Sequence, residues 1–148
     1  MKRIILNIGD IVVSEKPAAL ETVLGSCVSV CLWDGELGIG GMNHFMLPNV
    51  MDGIKNSLYC GSESIESLVS GFIKAGIDVN KLKAKIFGGG KVIKGFGDHL
   101  DIGKDNVKIA KKILSGYGIP ILREFTHSDY GIKVIFYSAT GKAFVKQL

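Results

Sequence analysis

Two stretches of the chain carry a helical rhythm. In "SESIESLVSGFIKA" (62–75), Ile65, Leu68, Val69, Phe72 and Ile73 recur at intervals of three and four, which winds them onto one stripe. Ser62 is the expected cap and Gly76 the expected stop. A second amphipathic stretch covers 105–116. Elsewhere the pattern shortens to apolar runs bounded by turn residues, which predicts strands at 3–8, 11–14, 28–33, 37–46, 82–87, 120–125, 132–138 and 142–147. Asp34-Gly35 marks a hairpin between 28–33 and 37–46, and Thr140-Gly141 a turn between the last two strands. Strands outnumber helices and mostly look hairpin-linked. The pattern therefore predicts an α+β layered domain with mostly antiparallel strands, not a doubly wound parallel sheet. No repeat or linker divides the 148 residues, so one domain is expected over 1–148.

Composition narrows the function classes. With 47% apolar residues the chain is no candidate for disorder, and no apolar run approaches the roughly 20 residues of a membrane-spanning helix. The opening "MKRIILNIGDIVVS" has the basic start of a signal peptide. However, Asn7, Gly9 and Asp10 interrupt it and no small-residue cleavage site follows, so it reads as the first strand of a cytoplasmic protein. A net charge of +4 is too small and too dispersed for a nucleic-acid stripe. The densest lysines, Lys104, Lys108, Lys111 and Lys112, read as a solvated helix face or a docking face for an acidic partner. Three cysteines without a CxxC pair fit a reducing compartment, and no finger-like spacing supports structural zinc. "FGGGKV" lacks the spacing of a phosphate loop. Gly88, Gly89 and Gly90 are read either as a turn needing positive φ or as a close approach to a substrate backbone.

The candidate chemistry lies in "TVLGSCVSVCLWD" (22–34) and "HFMLP" (44–48). A hairpin centred between Gly35 and Glu36 sets Cys27 opposite His44. One centred on Asp34-Gly35 sets Cys27 opposite Met42, with His44 diagonal to it. Both registers put the two side chains on one face, because even offsets preserve the face. A thiolate is a nucleophile that an imidazole can activate, and exposed N–H groups near Gly25 and Ser26 could face an oxyanion. Thr22 is the nearest polar group to orient the imidazole. Cys31, mid-strand between Val30 and Leu32, reads as core, and Cys60 as incidental. Ser26 lacks a GxSxG frame, and His99 and His127 lie in polar loop sequence.

"LGSCVSVCLWD" followed by "GGMNHFMLP" resembles the CheD family of chemotaxis receptor glutamine deamidases, and the likeness extends to "AKIFGGGKV", "IGKDN" (102–106) and "ATGKAFVKQL". The resemblance implies an α/β sandwich related to bacterial toxin deamidases. It also implies hydrolysis of selected glutamines to glutamate on the cytoplasmic helices of methyl-accepting chemotaxis receptors. Cys27 would be the nucleophile and His44 its partner, with a thioester intermediate and no metal or organic cofactor. The same chemistry could open a glutamyl methyl ester. The family's third residue is a threonine upstream of the cysteine. Six positions before Cys27 this chain has Glu21, so the role falls to Thr22. The rival reading is a non-catalytic regulator that binds a CheC-type response-regulator phosphatase. A redox switch between Cys27 and Cys31 is weaker, since four strand residues separate their Cα atoms by about 13 Å.

Overall fold

Within "VSVCLWD" odd and even residues meet different neighbours, and that split organises the molecule. The computed structural model describes residues 1–91 and 101–148; His99 lies outside them. In chain order the elements are β1 (Lys2–Ile5), β2 (Ile11–Ser14), β3 (Ala18–Leu24), β4 (Val28–Asp34), β5 (Ile39–Asn43), α1 (Gly61–Lys74), β6 (Lys83–Gly88), α2 (Ile102–Tyr117), β7 (Ile121–Thr126), β8 (Ile132–Tyr137) and β9 (Ala143–Gln147). They form a four-stranded sheet in the order β1-β3-β8-β9 and a five-stranded sheet in the order β2-β5-β4-β6-β7. Of these strand pairings, β1–β3 and β6–β7 are parallel and the rest antiparallel.

The even residues Val28, Val30 and Leu32 of β4 join Ile65, Leu68, Val69 and Phe72 of α1 and Val107, Ala110 and Leu114 of α2 in one core. The odd residues Cys31 and Trp33 join Leu20 and Leu24 of β3 and Ile132, Val134 and Phe136 of β8 in the other. Helices cover one face of the five-stranded sheet and the second sheet covers the other. This is the expected α+β layering, with β4 buried along its whole length between two hydrophobic layers.

The hairpin turns later than the sequence suggests. Asp34 Oδ1 accepts from the N–H groups of Glu36 and Leu37, and Gly38, at φ +68°, donates to Asp34 O. This loop pairs Trp33 with Gly40 and Cys31 with Met42, so the register continued to Cys27 falls on Met46, two or four positions beyond the expected partners. The slip is even, and the faces survive it. β5 also ends at Asn43 instead of 46, because Asn43 Oδ1 takes the Val30 N–H at 2.7 Å in place of a backbone carbonyl. Pairing resumes once, between Val28 and Phe45.

Other boundaries shift for local reasons. The N-cap of α1 is Cys60, not Ser62. Its first N–H groups need no capping side chain, since Gly61 and Ser62 donate to the carbonyls of Leu47 and Pro48. Asp101 starts α2 earlier than 105 by accepting from the Lys104 N–H, and Gly118 ends it in the left-handed conformation. β1 stops at Ile5 instead of 8. β3 carries no strand pattern of its own: "AALETVL" is rich in helix formers, and its pairing with β1 and β8 makes it a strand. Among the described residues no helix is long and apolar enough to cross a membrane.

Candidate active site

The loop from Gly25 to Cys27 joins the four-stranded sheet to the five-stranded one and is tied down by all three of its carbonyls. Gly25 O accepts from Gly90 N and Cys27 O from Gly89 N, each at 2.9 Å. Ser26 O accepts from Asn106 Nδ2 at 3.0 Å, and the same amide group donates to Met46 O, clamping the cysteine loop to the segment after His44. In a trans peptide the C=O and N–H point in opposite directions. Holding the carbonyls of Gly25 and Ser26 inward therefore turns the N–H groups of Ser26 and Cys27 the other way.

The glycine run is what lets this loop sit so close. Gly88 and Gly89 have φ of +102° and +63°, as a turn there requires. A Cβ on Gly88 would lie 2.2 Å from Cys27 O, and one on Gly103 of α2 would lie 2.5 Å from Gly89 O. The backbone approached at Gly88 is thus the chain's own.

On β3, Thr22 points inward with Leu20 and Leu24, whereas Glu21 points outward to pair with Arg3 and Lys133, which hold its carboxyl below the usual range. Thr22 Oγ1 lies 2.7 Å from His44 Nδ1 and 2.9 Å from Leu6 O. A hydroxyl has one proton, and the Leu6 carbonyl can only accept it. The Thr22–His44 bond therefore runs from Nδ1–H to Oγ1, and the neutral ring carries its free lone pair on Nε2. Among the described residues Nε2 has no hydrogen-bond partner.

Cys27 and His44 share the face between the sheets, with His44 opposite Ser29 and diagonal to Cys27. Among the described residues no hydrogen bond joins Cys27 to the ring. The structure thus brings Thr22 and His44 into contact and leaves Cys27 on the same face without a bond to the ring. Burial pushes the half-buried Cys27 thiol up, and it lowers His44 to about 4 against a smaller opposing pull from Asp10. Both groups rest neutral near pH 7. A groove of about 360 Å³ is lined by Ile5, Leu6, Asn7, Ile8, Val23 and His44.

The other candidates fall away from this centre. Cys31 is buried in the inter-sheet core, where burial raises its thiol strongly, and Cys60 is buried at the start of α1. His127 is exposed, with φ +64° and Nδ1 3.2 Å from Gly89 O. The four lysines of α2 are exposed, and Lys111 pairs with Glu124. Asn106 was visible only as part of "IGKDN". Its signal was a polar residue on the helical stripe that carries Val107, Ala110 and Leu114.

The depressed His44 makes stability fall on the acid side. An unfolded histidine binds a proton near 6.5, whereas the folded one refuses it until about 4. Stability is therefore full above about pH 6.5 and drains away as pH falls towards 4, by roughly 3 kcal/mol in all. Urea unfolding at pH 7 and pH 4.5 should show most of this loss, and His44→Gln should flatten it. The contribution of Glu21, whose lowered carboxyl acts below about pH 4.5, remains in that variant.

Residues 46–147 match the family model described as CheD chemotactic sensory transduction. The chain belongs to the CheD family. A "probable chemoreceptor glutamine deamidase CheD 1" of Anaeromyxobacter dehalogenans is 38% identical over 146 residues, covering 99% of this chain and 85% of that protein. A "probable chemoreceptor glutamine deamidase CheD" of Agrobacterium fabrum is 39% identical over 135 residues, covering 89% of this chain and 72% of that protein. The CheD model match begins after Cys27 and His44, but the first of these similarities spans both. Among solved structures, Bacillus licheniformis hypothetical protein YfiH has a TM-score of 0.56 at 16% identity, and Neisseria meningitidis protein NMB0706 of the DUF152 family has 0.53 at 14%. They cover 94% and 90% of this CheD-family chain, which spans 61% and 62% of theirs, and they speak to the fold alone.

Proposed function

We propose that this CheD-family chain hydrolyses glutamine side chains of chemoreceptors to glutamate, with Cys27 as nucleophile, His44 as acid–base group and Thr22 as the residue that orients the ring. One observation carries the reading: Thr22 accepts from Nδ1–H while its own proton goes to Leu6 O, leaving a bare Nε2 on the face that holds Cys27. The description of the relatives as chemoreceptor glutamine deamidases supports the substrate.

Because thiol and imidazole both rest neutral, the proton moves as the bond forms. His44 takes it from Cys27, and the sulfur attacks the carboxamide carbon. The N–H groups of Ser26 and Cys27, beside Gly25, face the oxyanion. The imidazolium protonates the departing nitrogen, the C–N bond breaks, and ammonia leaves a thioester. Water then loses a proton to His44 and attacks; the C–S bond breaks and the sulfur regains its proton. The balance is glutamine plus water to glutamate plus ammonia. A glutamyl methyl ester would give methanol by the same steps.

The test is incubation with a chemoreceptor cytoplasmic fragment carrying its glutamines, read as released ammonia and a gain of about one dalton per converted site. Both signals are expected. Their absence with a folded, alkylatable Cys27 would favour the reading in which the chain acts by binding a CheC-type phosphatase.

A further inference from the structure

The face that holds Cys27 and His44 carries one more polar group, which this mechanism leaves idle. The pairings Val28↔Phe45 and Cys31↔Met42 fix the register on both sides of Ser29 and set it directly opposite His44. Ser29 lies between Cys27 and Cys31 on the same face of β4, with Phe87 across from it on β6. It is 0% exposed and His44 is 5% exposed. Among the described residues neither Ser29 Oγ nor His44 Nε2 has a hydrogen-bond partner. Buried hydroxyls and ring nitrogens are ordinarily satisfied. Two unsatisfied groups on directly opposite residues of one strand pair, on the face that carries a thiol, suit a small polar guest.

We propose that Ser29 Oγ and His44 Nε2 form the subsite that holds the departing ammonia and then the attacking water. The inference rests on the deamidase reading. Nε2 of the neutral ring only accepts, and a hydroxyl can accept as well, so the pair suits a guest with two hydrogens to give. A water held this way gives one proton to His44 and points its second O–H at Ser29, leaving a lone pair for the thioester carbon. During acylation the nitrogen is already fixed by its bond to the substrate and needs little help. Deacylation must capture free water, so it depends more on Ser29.

Ser29→Ala separates these halves. With a receptor fragment it should release a burst of ammonia equal to the enzyme present, followed by steady turnover reduced about 100-fold. The thioester should accumulate and be seen by intact mass. Hydroxylamine, a strong nucleophile that does not need this subsite, should restore turnover by releasing the γ-hydroxamate. Iodoacetamide should label Cys27 at the wild-type rate and melting should not drop, since an unsatisfied hydroxyl has been removed. Wild-type turnover in Ser29→Ala would overturn the subsite. So would a loss that hydroxylamine does not relieve and that comes with slower Cys27 labelling, the mark of a merely structural role. An inactive wild type would instead remove the deamidase reading itself, and an active Cys27→Ala would remove the thioester on which this subsite acts.

Discussion

Cys27→Ala should lose deamidation of a receptor fragment by at least about 10³-fold while the fold barely registers the change. The thiol sits half-buried at the mouth of β4, and its loop is held by carbonyl bonds that the substitution leaves in place. Cys31→Ala should behave oppositely. That sulfur is wholly buried against Trp33 and Met42 in the inter-sheet core, and removing it leaves a void costing about 1–2 kcal/mol, or several degrees of melting temperature. Its chemistry should persist. Paired activity and calorimetry measurements check the contrast, and iodoacetamide with mass spectrometry checks it without substrate. Full activity in Cys27→Ala, or faster labelling of Cys31 than of Cys27, would remove Cys27 as nucleophile.

Thr22→Val should reduce kcat by two to three orders of magnitude, with a smaller change in KM. Valine fills the same space but offers no acceptor to Nδ1–H and no proton to Leu6 O. The ring is then free to carry its proton on Nε2, where it cannot serve as base, and the Leu6 carbonyl is stranded. The lost pairing also costs about 1–3 kcal/mol of stability. Thr22→Ser restores the hydroxyl and should recover most of the rate. The pH profile separates this role from packing, because a freed imidazole shifts the acid limb of kcat/KM and a loosened core does not. Equal activity in Thr22→Val and wild type would break the assignment.

What the chain revealed in advance was whatever its local pattern controls. Ile65 to Ile73 announced α1, and parity put Cys27 and His44 on one face even though the hairpin turned one or two positions late and shifted the strand partners by two or four. The turn itself was hidden because the Asp34 side chain, not the Asp34-Gly35 dipeptide alone, sets the loop. β3 was illegible for a different reason: Ala18, Ala19, Leu20 and Glu21 prefer helix, and their strand conformation comes from neighbours distant in sequence. Thr22 inherited that difficulty, since its inward direction follows only from the strand it stands on. Asn106 and Ser29 give no strong local signal either. Their meaning depends on carbonyls and ring atoms that the fold carries to them from other segments.

β1 is only four residues long, lies at the edge of its sheet and is paired on one side alone. Yet the residue that follows it, Leu6, supplies the carbonyl that decides where the His44 proton resides, and Gly9 N holds His44 O at 2.8 Å. Edge segments of this kind peel away far more cheaply than a whole domain unfolds. A molecule with β1 detached would keep both cores' central strands, its helices and its thiol, and still have an imidazole of undecided tautomer. Heat inactivation should therefore run ahead of melting. The temperature ceiling for chemistry is set by the hold of one short ribbon, while the much sturdier sandwich behind it sets only the ceiling for shape.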